Sequence, residues 1–215
     1  MERGQASWGA LTKDEQRELH AAVGGWRAAA AQGLAQAQFA LRSMFAEGRG
    51  VAQSDVKAAR WFRKAADQGI PEAQHNLGCI FDKGRGVVQS DVEAARWFRK
   101  AADQGFAEAQ HNVGAMFSEG CGVAQSDVEA TRWYRKAADQ GFAKAQYALG
   151  IKFAHGSGVA QNDVEAVRWF RKAVDKGLAE AQFALGSMFA EGRGVAQSDG
   201  EAAQWFRKAA DQGNM

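Results

Sequence analysis

A 15-residue segment of alternating apolar and polar positions is the repeated element of this chain. In the copy at 91–105, DVEAARWFRKAADQG, the apolar residues recur every three or four positions and predict one stripe of an amphipathic helix. The stripe consists of Val92, Ala95, Phe98, Ala101 and Ala102, and Trp97 widens it. Asp91 is predicted as the N-cap and Gly105 as a left-handed residue just past the helix end.

Polar residues of the same segment are spaced to pair with one another on the solvent side. Glu93 and Arg96 are three residues apart, and Arg99 and Asp103 are four apart. Such pairs stabilise a helix by about 0.2–0.5 kcal/mol each, so packing has to supply most of the stability.

The segment returns at 55–69, 127–141, 163–177 and 199–213, and each step is 36 residues. A second amphipathic pattern precedes every copy, as in PEAQHNLGCIFDKG at 71–84, and a turn of the form G-x-G-V-x-Q-[SN]-D joins the two. Gly78 lies inside the predicted first helix, which indicates close approach of the neighbouring helix. This fixed period predicts stacked helical hairpins with a continuous core.

The predicted organisation is five hairpins preceded by an atypical end. Residues 1–33 are predicted to be a leader and a degenerate capping helix, which forms an N-terminal half-repeat. The capping box at Thr12 and Glu15 marks the start of that helix. The hairpins are residues 34–69, 70–105, 106–141, 142–177 and 178–213.

The repeated unit resembles the Sel-one-like repeat, a relative of the tetratricopeptide repeat. The resemblance rests on A-x-x-x-L-G-x-x-F-x-x-G-x-G-V-x-x-x-D-x-x-x-A-x-x-W-F-x-K-A-A-D-Q-G and covers residues 34–213. It implies an all-α, right-handed α/α superhelical solenoid that acts as an adaptor for other proteins. Arg42 departs from the unit, because glycine occupies the corresponding position of the other four hairpins.

Composition and charge narrow the choice of partner. The chain has 215 residues with a formal net charge of +2, so a polyanionic partner is not indicated. Basic residues beside each tryptophan, as at Arg60, Arg63 and Lys64, share their face with acidic ones. A salt-bridged solvent surface is therefore favoured over binding of nucleic acid.

Targeting signals are not evident in the sequence. No apolar run approaches the roughly 20 residues of a membrane span, and residues 1–20 lack the apolar core of a secretory signal. The two cysteines, Cys79 and Cys121, occupy different positions of the repeat. The expected location is the cytoplasm, unless a signal was removed.

Catalytic and metal chemistry find little support in these residues. The serines Ser54, Ser90, Ser126 and Ser198 precede the start of a helix, where capping explains them. His75 and His111 lie one repeat apart, and helix axes about 8–10 Å apart are too distant for shared ligation. We therefore predict neither an enzyme nor a cofactor. A β-lactamase-like amide hydrolase, which some cysteine-rich members of the family suggest, and a structural or inhibitory subunit remain alternatives.

Variation between the copies concentrates on one face of the first helices. By resemblance this face lines the concave groove of the solenoid, where asparagine would bind peptide backbone, aromatic residues would add apolar contact and glutamates would favour a basic ligand. The predicted partner-binding residues are Phe39, Glu72, His75, Asn76, Glu108, His111, Asn112, Tyr147 and Phe183. Asn76 and Asn112 could equally bond to a neighbouring helix.

The last hairpin suggests a second contact. Trp205, Phe206 and Ala209 are expected to be partly open, and this predicts weak self-association through the carboxyl-terminal end.

Overall fold

The structure is a computed structural model that describes residues 52–212 and, before them, residues 24, 25, 37, 41, 44, 45 and 48. Within 52–212 there are nine α-helices and no strand, and each helix has 13 residues. In chain order they are α1 Asp55–Asp67, α2 Pro71–Lys83, α3 Asp91–Asp103, α4 Ala107–Glu119, α5 Asp127–Asp139, α6 Ala143–His155, α7 Asp163–Asp175, α8 Ala179–Glu191 and α9 Asp199–Asp211.

The structure divides the chain into two compact units, residues 1–104 and 105–215. In the first unit α2 packs against α1 and α3. In the second unit α4, α6 and α8 each pack against the helix that follows, and α5–α6 and α7–α8 are also in contact. Of the predicted capping helix only Gly24 and Gly25 are described, and both are helical. Arg42 and Phe39 lie outside the described residues.

The helix caps follow the sequence with one correction. Ser90, not Asp91, is the N-cap of α3, and its Oγ accepts a hydrogen bond from the Glu93 amide at 3.3 Å. Asp91 is instead the first helical residue, where its charge favours the positive end of the helix dipole. Gly105 has the predicted left-handed backbone, with φ of 92°.

The stripe along α3 needs a second correction, because Val92 is 64% exposed. A step of three residues turns a helix by about 300°, so each step along the stripe drifts by about 60°. The buried side of α3 is therefore turned away from Val92. It consists of Ala94, Ala95, Trp97, Phe98, Ala101 and Ala102. Trp97 and Phe98 are each 3% exposed, which confirms that they belong to the core.

Mid-helix glycines let the two helices of a hairpin approach closely, as predicted. A Cβ on Gly78 would lie 2.6 Å from the Phe98 ring, and a Cβ on Gly150 would lie 2.5 Å from the Phe170 ring. Gly114 and Gly186 meet Tyr134 and Phe206 in the same way.

A second set of glycines sets the contact between successive hairpins. Gly158 has φ of 74°, and a Cβ there would overlap the backbone of Asp127. Gly86 meets Asp55, and Gly194 meets Asp163, in the same manner. At these three turns the second glycine of G-x-G therefore seats one hairpin on the first turn of the preceding second helix.

Lysines of the second helices lie over the tryptophan rings three residues before them. Lys100 Nζ is 4.0 Å from the Trp97 centroid, and Lys172 Nζ is 3.8 Å from the Trp169 centroid. The predicted surface pairs also form: Arg96 Nη1 lies 3.4 Å from Glu93 Oε1, and Arg99 Nε lies 3.1 Å from Asp103 Oδ1. The basic residues beside tryptophan thus make local contacts with rings and carboxylates.

Candidate partner-binding face

The described members of the predicted partner-binding set lie on the first helices of the hairpins, and we call the side of each first helix that carries them the first-helix face. Its described members are Glu72, His75 and Asn76 on α2, Glu108, His111 and Asn112 on α4, Lys144 and Tyr147 on α6, and Glu180 and Phe183 on α8. The glutamates, Lys144 and Phe183 are exposed, whereas the other members are half-buried.

In the first unit, His75 is held by its own hairpin. Its ring centroid is 5.5 Å from that of Phe98, and its Nε2 is 3.8 Å from Cys79 Sγ. Asn76, one residue further along α2, lines a cavity of about 450 Å³. Glu72 is the exposed member of the face in this unit.

In the second unit, His111 is enclosed by aromatic rings. Its centroid lies 5.4 Å from those of both Tyr134 and Phe142, and its Nδ1 is buried without a hydrogen-bond partner. Burial, followed by the charge of Lys144, lowers the pKa of His111 to about 4. His111 is therefore neutral at pH 7, and it contributes to packing more than to an exposed polar contact.

Tyr147 and Phe183 are aromatic members of the face that keep part of their surface exposed. Their rings rest on Phe170 and Phe206 of the following helices, with centroid distances of 5.8 and 5.2 Å. Phe183 remains 56% exposed, although its counterparts His75, His111 and Tyr147 are half-buried. Burial, with a smaller effect from Glu180, raises the pKa of Tyr147, so its hydroxyl remains a neutral donor at pH 7.

Charges alternate along this part of the face in the second unit. Glu108, Lys144 and Glu180 occupy the same position of three successive hairpins, and all three are exposed. Lys144 is close enough to influence His111, and Glu180 is close enough to influence Tyr147. Each aromatic position thus has a charged neighbour, which is an arrangement that can bind both apolar and ionic groups of a ligand.

A partly buried polar cluster in the second unit was not predicted from the sequence. Lys152 Nζ donates to Asp127 Oδ1 at 2.6 Å and to Ser118 Oγ at 2.8 Å. Lys152 stands where the other hairpins have Met44, Ile80, Met116 and Met188. That single polar residue at an otherwise apolar position was the signal that could have revealed it.

In the next hairpin the equivalent aspartate, Asp163, pairs with an arginine instead of a lysine. Arg193, in the turn after α8, donates from Nη2 to Asp163 Oδ1 at 2.8 Å and to the Ala154 carbonyl oxygen at 2.7 Å. Asp127 and Asp163 are both the first residue of a second helix. The fold therefore brings a cation to this carboxylate either from the first helix or from the turn.

Neither a metal site nor a membrane span is visible in the part of the chain that the structure describes. Within it, no group of three or more His, Cys, Asp or Glu side chains could hold a metal ion. No described helix combines the length and the apolar character needed to cross a bilayer.

These helical hairpins define an all-α repeat protein of the solenoid class. A family model of the Sel1 repeat matches residues 28–70, 71–106, 107–142, 143–178 and 179–214. The chain belongs to the Sel1 repeat family. Proteins of this family are generally non-catalytic scaffolds for protein–protein interaction.

Solved structures of bacterial proteins share this fold. A protective antigen of uropathogenic Escherichia coli with an SLR fold is 38% identical with a TM-score of 0.84, and the match covers 88% of this chain. The chain spans only 40% of the length of that antigen. A Sel1 repeat protein from Oxalobacter formigenes is 33% identical with a TM-score of 0.81, and the match covers 93% of this chain and 82% of the other.

A more distant neighbour shows the fold alone. An immunity protein from Pseudomonas aeruginosa is 19% identical with a TM-score of 0.59, and the match covers 99% of this chain and 84% of the other. No curated protein matches the sequence.

Proposed function

We propose that this protein is a non-enzymatic interaction scaffold that binds a peptide or a partner protein on its first-helix face. The observation that carries the proposal is the pair Tyr147 and Phe183. Each ring packs against a ring of the following helix, and both keep exposed surface: Tyr147 is half-buried and Phe183 is 56% exposed. An aromatic side chain already held in place loses little conformational freedom when a partner packs on it.

Charged neighbours indicate the chemistry of the partner. Glu108 and Glu180 would pair with basic groups, and Lys144 between them in the series would pair with an acidic group or a backbone carbonyl. A segment that combines apolar residues with at least one lysine or arginine matches this pattern. Asn112 carries a side-chain amide, a group that can donate to and accept from the backbone of such a segment.

The test begins with capture of binding proteins on the immobilised full chain and continues with one purified partner. Affinity is then measured for the wild type and for Y147A, F183A and a double variant, N76A with N112A. We expect Y147A and F183A each to weaken binding by about tenfold, which is the scale of a hot-spot residue. Circular dichroism and the urea midpoint establish that each variant is folded.

Matched control variants lie on the second helices. Arg132 and Arg168 are exposed, and among the described residues their ion pairs are with Glu129 and Glu165 on their own helices, at 2.7 and 3.3 Å. R132A and R168A should leave the affinity unchanged. Loss of affinity in these two, with normal binding by Y147A and F183A, would move the interface to the second helices and overturn the proposal.

A further inference from the structure

The cavity beside Asn76 has features of a small-molecule site. It measures about 450 Å³, which is within the range of roughly 300–1,000 Å³ typical of ligand pockets. It lies in the first unit, between α1, α2 and the turn that follows α2. Ala58, Phe62 and Ile80 provide an apolar wall.

Opposite charges line the same cavity. Asp55, the first residue of α1, provides a carboxylate. Lys83 at the end of α2 and Arg85 in the turn after it provide two cations. Neither cation forms an ion pair with Asp55 among the interactions of the described residues. The cavity therefore offers separate binding partners for a cationic and an anionic group.

The second unit shows what this place in the hairpin can hold. Lys152 corresponds to Ile80, and Asp127 corresponds to Asp55, each 72 residues further along. There the lysine ammonium lies 2.6 Å from the aspartate, inserted from the first helix. Ile80 has no charged end to offer, so the carboxylate of Asp55 faces a cavity where its counterpart faces an alkylammonium group.

The turn provides a second comparison. Arg85 corresponds to Arg193, which in the second unit closes on Asp163 at 2.8 Å. Arg85 makes no such pair with Asp55 in the described structure. It is therefore left to interact with an anionic group in the cavity.

We propose that this cavity binds a small zwitterion of the amino-acid type. Its ammonium group pairs with Asp55, as the Lys152 ammonium pairs with Asp127, and its carboxylate pairs with Arg85 and Lys83. Ile80 and Phe62 contact an aliphatic side chain, and Asn76 offers an amide to the polar end. This site is separate from the proposed partner-binding function and does not depend on it.

The experiment compares three probes of similar shape by calorimetric titration of the full chain. L-leucine carries both charges, isopentylamine carries only the cation, and 4-methylpentanoate carries only the anion. We expect L-leucine to bind at least about tenfold more tightly than either of the others, because each charge-assisted hydrogen bond adds that order of affinity. L-leucylglycine, with its charges further apart, distinguishes a free amino acid from a dipeptide as the preferred ligand.

Two variants test the position of the site. I80K copies the natural lysine of the second unit and should fill the cavity and abolish binding, while the chain remains folded. D55N should reduce the affinity for L-leucine by about tenfold. D199N is the matched control, because Asp199 is likewise the first residue of a second helix, in the other unit.

Retention of L-leucine binding by both I80K and D55N would overturn the proposal. Equal binding of L-leucine and isopentylamine would also overturn it, because the site would then recognise a cation alone. The same is true if none of the probes gives saturable binding. The partner-binding test uses variants of Tyr147 and Phe183, which lie outside the cavity. Failure of one proposal therefore leaves the other unaffected.

Discussion

Gln146 shows how one residue of the repeat changes the hydrogen bonding of a buried neighbour. In two other hairpins the equivalent glutamine accepts a bond at 2.7 Å, from Gln104 to Gln74 and from Gln140 to Gln110. Lys176 occupies the position of Gln104 and Gln140 in the hairpin of Gln146. The Oε1 of Gln146 is buried without a partner. An unsatisfied buried oxygen destabilises the fold.

The variant K176Q should therefore stabilise the second unit by about 1 kcal/mol, since it restores the glutamine donor. The measurement is the urea unfolding midpoint, with the slope of the transition unchanged. The reverse change, Q140K, is the matched control and should lower stability by a similar amount. Equal midpoints for K176Q and the wild type would show that the buried oxygen has no such cost.

His111 makes the stability of the second unit depend on pH. Its pKa is about 4 in the folded chain and 6.5 in a model peptide, so the unfolded chain binds the proton more readily. The stabilisation is complete above pH 6.5 and is lost as the pH falls towards 4. The shift corresponds to at most about 3 kcal/mol.

The variant H111Y, which copies Tyr147 of the next hairpin, should lose less stability between pH 7 and pH 5 than the wild type. Urea unfolding at both pH values gives the comparison. Parallel pH dependence in the two proteins would exclude His111 as the source.

At the scale of elements, the glycines of the turns decide how hairpins join. Gly158 and Gly177 both have left-handed backbone, with φ of 74° and 81°. A side chain on Gly158 would meet the Asp127 backbone, whereas nothing lies within 4 Å of a Cβ on Gly177. Only the first position therefore carries a close contact between hairpins.

The variants G158A and G177A separate the cost of left-handed backbone from the cost of the close contact between hairpins. A left-handed alanine costs about 1–2 kcal/mol at either position. G158A should destabilise by at least about 1 kcal/mol more, because the backbone of α5 has to move. The midpoints of urea unfolding report the difference, and equal losses would mean that the junction yields without cost.

At the scale of the molecule, the last described helix leaves apolar surface open. Trp205 and Phe206 are half-buried, although their counterparts Trp169 and Phe170 are 5% and 1% exposed. Ala209 is 1% exposed, so the expectation that it would be open was wrong; it lies on the side of α9 that faces its own unit. The open surface supports, as a proposal, weak self-association through α9.

The variant A203E adds a charge to this surface at an exposed position. Sedimentation at increasing concentration should show association of the wild type and less association of A203E. A160E makes the same substitution at an exposed position in a turn and should behave as the wild type does. A wild type that remains monomeric at high concentration would contradict the proposal.

The 36-residue period, the alternation of two helices and the role of the mid-helix glycines were all predictable from the sequence. They depend on local periodicity and on backbone conformation, which repeat with the residues. The buried Trp-Phe pairs followed from the same pattern. The sequence by itself therefore determined the fold class.

Only the tertiary structure decided the environment of individual side chains. Asn76 lines a cavity, His111 is enclosed by rings, and Lys152 reaches Asp127 across 25 residues. These environments depend on which residue of the neighbouring hairpin lies opposite, and periodicity within one helix carries no information about it. The seam between hairpins is therefore where copies that look alike in sequence become chemically different.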